Sequence, residues 1–178
     1  YGVELCARKN MRKLTGWLAY TLAWSKTRIE GINGGNWYDA NNDRRHDISI
    51  TVQHKFSDRF DLSGTWVFSS GNCGTLGTQI YEGLVDDWGH LPAINAIERN
   101  NYRMPNYHRL DLSANFHKQK KHGIRTWNIS VYNAYNHNNP FVVYADYHWD
   151  QATDSEKKVL MQASLFPIIP SVSYSYKF

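Results

Sequence analysis

The sequence predicts an all-β fold: an antiparallel transmembrane β-barrel, of which this chain supplies seven strands. Three observations predict it. Apolar and polar residues alternate with a period of two along seven stretches, as in strands with one greasy and one polar face. The connections between those stretches alternate strictly short and long, matching a barrel with tight turns on one side of a membrane and long loops on the other. The apolar faces cover about nine to eleven residues, the length a tilted strand needs to cross hydrocarbon, against about five or six for soluble strands.

The first stretch, 1–8, sets Val3, Leu5 and Ala7 against Glu4, Cys6 and Arg8, and a turn over 9–13 follows. The second, 14–29, puts Leu14, Gly16, Leu18, Tyr20, Leu22 and Trp24 opposite Thr15, Trp17, Ala19, Thr21, Ala23 and Ser25. After a long Gly- and Asn-rich connection, the third places Ile48, Ile50, Val52 and Phe56 opposite Asp47, Ser49, Thr51, Gln53 and Lys55, with His54 the exception on the apolar side. Only Ser57, Asp58 and Arg59 separate it from the fourth, where Phe60, Leu62, Gly64, Trp66 and Phe68 alternate with Asp61, Ser63, Thr65, Val67 and Ser69.

Residues 71–106 form a connection far longer than the about four to six residues usual in a compact domain. The fifth stretch, 107–116, sets Leu110, Leu112, Ala114 and Phe116 against Arg109, Asp111, Ser113 and Asn115, and ends in the basic turn KQKKHG. The sixth starts with Trp127, Ile129 and Val131 on the apolar face and then meets Asn133 there, which a bulge would absorb. It is expected to continue as strand through 140–149, cross the charged tip DQATDSEKK and return through 159–166 into the last stretch. There Val172, Tyr174, Tyr176 and Phe178 oppose Ser173, Ser175 and Lys177.

Aromatic residues make up 15% of the 178 residues: 7 Trp, 12 Tyr and 7 Phe. Phe56, Phe60, Phe116, Trp127, Tyr176 and Phe178 all fall at the short-turn ends of the apolar faces, as an inner interfacial girdle would. Trp24, Phe68 and Tyr107 are expected to form the outer one. The rival reading, aromatics filling the core of a β-sandwich, needs a second apolar layer, and the opposite faces are too polar to provide it.

Mean hydropathy is −0.60, and no run approaches the roughly 20 apolar residues of a membrane-spanning helix. The net charge of +4 and pI near 9.0 come from lysines and arginines spread over turns and loops, which argues against a nucleic-acid partner. Cys6 and Cys73 lack metal-ligand spacing and read as plain thiols rather than a disulfide. The chain begins at Tyr1 with no signal pattern, so a mature piece or fragment is expected. Seven strands cannot close in lipid without leaving backbone groups unpaired, so further strands are expected elsewhere.

The segments GVELCARKNMRKLTGWLAYTLAWSKTRIEGING, DRRHDISI, NNYRMPNYHRLDLSANF, WNISVYNAYNHNNPFVVY and SLFPIIPSVSYSYKF resemble the C-terminal barrel of TonB-dependent outer-membrane receptors. The likeness is to the subgroup carrying a carboxypeptidase-regulatory-like N-terminal domain, and it spans nearly the whole chain as one barrel segment, 1–178. The resemblance implies a barrel of roughly 22 strands with a plugged lumen. It implies import of a scarce nutrient (siderophore, haem, cobalamin, glycan or peptide) across a Gram-negative outer membrane, with long loops outside and a periplasmic C-terminus. The implied partners are outer-membrane lipid, the rest of the barrel and its plug, the TonB complex acting through that plug, the barrel assembly machinery and, in some arrangements, a surface lipoprotein. Plug, TonB box and earlier strands are not in this sequence. Tyr174, Tyr176 and Phe178 resemble the terminal assembly signal, and they also suit a plain interface anchor.

No catalytic constellation stands out, and neither an enzyme nor a cofactor is expected. Asp146, His148 and Asp150 share one face of an extended segment but read as polar lining rather than metal ligands. Asp43, Arg44, Arg45, His46 and Asp47 at a strand mouth read as salt-bridge formers. Trp37, Tyr38, Arg44, Tyr81 and Trp88 on the long connections are candidate ligand contacts, since loop aromatics stack on sugars and flat chelates. The alternatives to an energised importer are a passive porin or structural barrel, and a soluble carbohydrate-binding β-sandwich.

Overall fold

The structure, a computed structural model, describes residues 1–77, 79–82, 92–95, 98–152 and 154–178, with backbone alone at 79–82, 92–95, 147, 156 and 158. Nine long strands account for most of it: β1 (Gly2–Asn10), β2 (Leu14–Ala23), β3 (His46–Ser57), β4 (Phe60–Ser69), β5 (Tyr107–Lys120), β6 (Gly123–Tyr132), β7 (Val142–Asp150), β8 (Ser155–Ala163) and β9 (Ile169–Lys177). Seven of them form one antiparallel sheet in the order β1-β2-β3-β4-β5-β6-β9. Apart from the β6–β9 pair, sequence neighbours are spatial neighbours. The sheet is open at both edges, β1 and β9.

The register explains how the alternation of seven separate stretches adds up. Val3 opposes Leu22, and Leu5 opposes Tyr20, which opposes Ile48, which opposes Phe68. Leu18 is opposite Ile50, Ile50 opposite Trp66 and Trp66 opposite Leu110. Phe60 pairs with Phe116, Phe116 with Trp127 and Trp127 with Tyr174. Because side chains alternate faces with period two, this pairing gathers the apolar positions onto one side of the sheet and the serines, threonines and asparagines onto the other.

No layer covers the apolar side among the described residues. Val3, Leu5, Val52, Phe116, Ile129 and Tyr174 are exposed, and Val172 and Phe178 remain 65% and 97% exposed. Cys73 is the one buried apolar residue among those described. The accessible surface is 13188 Å², about half as much again as the roughly 8,900 Å² of a compact monomer of this mass. A core inside the chain is not what holds these strands in order; the ladder and its cross-strand pairs do that.

The aromatics at the short-turn end form a row. Ring centroids lie 5.4 Å apart for Phe56–Phe60, 5.1 Å for Phe60–Phe116 and 5.0 Å for Trp127–Tyr174. Phe56 joins it through a bulge: the ladder passes from Lys55 opposite Asp61 to Ser57 opposite Phe60, leaving Phe56 as the extra residue. The expected row at the other end does not form as predicted. Trp24 stacks on Tyr1 at 5.2 Å and Phe68 on Trp66 at 6.1 Å, but Tyr107 lies on the polar side, its hydroxyl 3.4 Å from that of Tyr132. Its alternation partners are Arg109 and Asp111, and a strand cannot turn one residue against its own period.

Four other expectations need correcting. β2 stops at Ala23, because Ser25 N–H donates to Asp43 Oδ1 at 2.6 Å and leaves the ladder. β5 runs on to Lys120, so the basic turn KQKKHG narrows to residues 121–122. β6 correspondingly starts at Gly123, ahead of Trp127. Gly123 is required there, since a Cβ would sit 2.2 Å from the Lys177 carbonyl oxygen.

The fourth correction concerns Asn133, which is a chain reversal rather than a strand bulge. Its φ is +52°, a left-handed conformation that asparagine tolerates, and it ends β6. Its side chain is 0% exposed and fully used: Nδ2 donates to the carbonyls of His137 at 2.9 Å and Phe166 at 3.1 Å, and Oδ1 accepts from His137 N–H at 3.0 Å. The chain then leaves the sheet as a separate hairpin, β7 with β8, pairing Val142 with Ala163 through Asp150 with Ser155.

Candidate functional site

Two polar assemblies are built on the sheet. The first lies on its polar face toward the short turns. Register places Asp61 between Lys55 and Asn115, which puts a buried carboxylate among donors. Asn115 Nδ2 donates to Asp61 Oδ1 at 2.7 Å and Gln53 Nε2 at 3.3 Å; His117 Nε2 reaches Asp61 Oδ2 at 2.6 Å. With that nitrogen donating, His117 Nδ1 accepts from Thr126 Oγ1 at 2.9 Å. Asn128 Nδ2 extends the net to Asn115 Oδ1 at 2.7 Å and Ser113 Oγ at 2.6 Å.

Toward the long connections the same face carries Arg109. Its Nε donates to Asp111 Oδ2 at 2.9 Å, and its Nη1 to the hydroxyls of Tyr107 at 2.7 Å and Tyr132 at 2.6 Å. The guanidinium lies 4.0 Å from the Tyr132 ring centroid. Between the two charged groups the face is neutral, with Thr51–Thr65 at 3.1 Å and Ser130–Ser171 at 2.7 Å. A surface with hydroxyls in the middle and satisfied charges at both ends suits water or a polar filling.

The second assembly ties the long connections together above the sheet. Short ladders pair Lys26–Thr27 with Tyr38–Asp39 and Cys73–Gly74 with Tyr102–Arg103. Arg103 then acts as a fork: Nη1 donates to the carbonyls of Asp43 and Gly71, both at 2.9 Å, and Nη2 to Asp43 Oδ2 at 2.5 Å and Asp39 Oδ2 at 3.0 Å. Asp43 is 1% exposed. Burial alone would push its carboxyl up, but the Ser25 N–H, Arg103 and Arg45 outweigh burial and hold it below the usual range. Asn33 clasps Arg99 from both sides, Nδ2 donating to its carbonyl at 3.0 Å and Oδ1 accepting its N–H at 2.7 Å.

Asp39, Asp43 and Cys73 come close enough for one cation, their ligand atoms lying within 4.8 Å of one another. The Arg103 guanidinium already fills that role, bridging both carboxylates. Burial pushes the Cys73 thiol up, against the pull of Arg103. Cys6 is an exposed free thiol and Cys73 a buried one.

The residues singled out from the sequence fare unevenly. Trp37 stands 64% exposed, and Tyr38 is taken into the short ladder with Thr27. Arg44 Nη1 donates to Ser69 Oγ at 3.3 Å, a contact that anchors the loop to β4. Trp88 lies outside the described residues, as does the side chain of Tyr81. Asp150 pairs with Lys157 across the β7–β8 hairpin, while Tyr174 and Tyr176 lie on the apolar side of β9, leading to Phe178.

The sequence marks Asn133 only as a break in the alternation, and it does not mark Arg103, Asp39 or the Asp61–His117 pair as a site. The alternation places Asp61 on the polar side and Arg109 with Asp111; nothing local to Arg103 marks it, because its partners lie 32 to 64 residues away. No protein-family model, curated protein or solved structure matches the chain.

Proposed function

We propose that this chain is the C-terminal part of a transmembrane barrel of the TonB-dependent receptor type, in the outer membrane of a Gram-negative bacterium. One observation carries the reading: seven antiparallel strands present a continuous exposed apolar face backed by a hydrogen-bonded polar one. Water is a poor solvent for the first face and an apolar core a poor one for the second. Lipid outside and a hydrated, plugged lumen inside satisfy both. The open edges at β1 and β9 are where the remaining strands of the barrel pair.

On this reading the clasp around Arg103 belongs to the external loops, and the aromatic row from Phe56 to Tyr174 belongs to the periplasmic interface. Substrate is taken up by outside loops and plug, and TonB supplies energy through the plug. Tyr174, Tyr176 and Phe178 serve the assembly machinery as well as the interface. A soluble sandwich is disfavoured because no second sheet covers the apolar face among the described residues.

The neutral hydroxyl belt on the polar face favours one second reading, an unplugged porin. Ionic conductance separates the two. The full-length gene product in a planar bilayer passes no steady current if a plug fills the lumen, and a steady open-channel current overturns the importer in favour of the porin.

A further inference from the structure

We infer that the short-turn rim of the sheet carries a binding site for the phosphate of an anionic phospholipid, formed by Arg59, Lys118 and Arg125. The proposal rests on the barrel reading, which makes this rim the inner-leaflet interface. β5 pairs with β4 only as far as Phe116 opposite Phe60, and the remaining four residues, 117–120, run past it. The overrun leaves a notch between the 58–59 turn and the β5–β6 hairpin, a cavity of about 770 Å³.

The register fixes what faces the notch on the apolar side. Phe116 stands opposite Trp127, and one step nearer the turn Lys118 stands opposite Arg125, which stands opposite Tyr176. A cationic pair, Lys118 and Arg125, thus lies directly beneath an aromatic row, and Arg59 of the turn lines the same cavity. That is the vertical order of a phospholipid: phosphate at the rim, glycerol and acyl chain against the rings.

The charges are available. The cavity's other ionisable groups are satisfied, Asp58 by Lys55 at 2.7 Å and His117 by Asp61 at 2.6 Å. Among the described residues, Arg59, Lys118 and Arg125 make no ion pair with a carboxylate, and Arg125 Nε is buried without a hydrogen-bond partner. An arginine Nε left without a partner beside two further cations calls for an anion with several oxygens, and a phosphodiester supplies them.

The test uses the full-length gene product in non-ionic detergent, with phosphatidylglycerol added and retained lipid read by native mass spectrometry. Arg125→Gln is expected to lower retention about fivefold, and Arg59→Gln/Lys118→Gln/Arg125→Gln to abolish it, following about 1 kcal/mol per basic residue at an anionic surface. Arg125→Lys, which keeps the charge and loses the fork, falls between wild type and Arg125→Gln. Lys9→Gln/Arg12→Gln/Lys13→Gln, the same charge loss at another short turn, keeps all of it. Equal loss in that control, or wild-type retention in the first triple variant, overturns the site. Displacement of the lipid by an equal concentration of inorganic phosphate overturns the lipid in favour of a free anion. Heat-modifiable migration on gels reports barrel integrity separately, so lost lipid with an intact barrel and loss of the barrel itself are distinct results.

Discussion

Arg103 Nη2 lies 2.5 Å from Asp43 Oδ2, and the same guanidinium holds the backbone carbonyls of Asp43 and Gly71. One side chain therefore joins the connection before β3 to both ends of the connection between β4 and β5. Arg103→Ala leaves a buried carboxylate with only Ser25 N–H and Arg45 as partners. The expected cost is about 3 kcal/mol, and Arg103→Lys, which keeps the charge and loses the fork, falls between the two. Denaturant unfolding measures it, and protease cleavage within 70–106 rises first.

The same pair sets a pH dependence. The Asp43 carboxyl is held below its ordinary 3.8 in the folded state, so the unfolded state binds the proton more readily. The stabilisation from this group is present in full above that value and is lost as pH falls through the lower, folded value. Unfolding followed from pH 7 to pH 2 should show the loss beginning below about pH 4, and Asp43→Asn should remove this part of it.

Gly71 and Gly74 form a matched control. A Cβ at Gly71 would lie 1.6 Å from the Met104 carbonyl oxygen, whereas nothing lies within 4 Å of one at Gly74. Gly71→Ala is expected to detach the base of the connection and raise proteolysis there as Arg103→Ala does. Gly74→Ala should leave the digestion pattern unchanged.

Asn133 answers to two requirements, a left-handed backbone and three side-chain hydrogen bonds. Asn133→Gly satisfies the first alone and is expected to be the mildest change. Asn133→Ala fails both, at about 3 kcal/mol. Asn133→Asp turns a donor into an acceptor facing the His137 and Phe166 carbonyls and is expected to be the worst. That order, measured by denaturant unfolding, separates the hydrogen bonds from the backbone strain.

The period-two pattern made most of the sheet legible, because a strand with two unlike faces writes its own register into its residues. Phe60, Phe116 and Trp127 could be placed in one row before any pairing was known. The pattern is silent where the chain stops alternating. Asn133 interrupts β6 with a residue that fits equally a bulge or a reversal, and only the distant carbonyl of Phe166 decides between them. Arg103 sits in a two-residue ladder too short to have a period. Tyr107 has the aromatic character of an interface residue, but its alternation with Arg109 puts it on the polar face.

Adjacent residues of β5 give the most direct test that the apolar face meets lipid. In the full-length gene product, with Cys6 and Cys73 replaced by serine and alanine, a spin label is placed in turn at residues 110 through 115 in lipid vesicles. Collision rates with oxygen, which partitions into lipid, and with a water-soluble nickel chelate are then measured. A membrane barrel predicts that 110, 112 and 114 favour oxygen and 111, 113 and 115 the chelate, in strict alternation. Chelate access at all six positions, with the protein folded and monomeric without detergent, would contradict it.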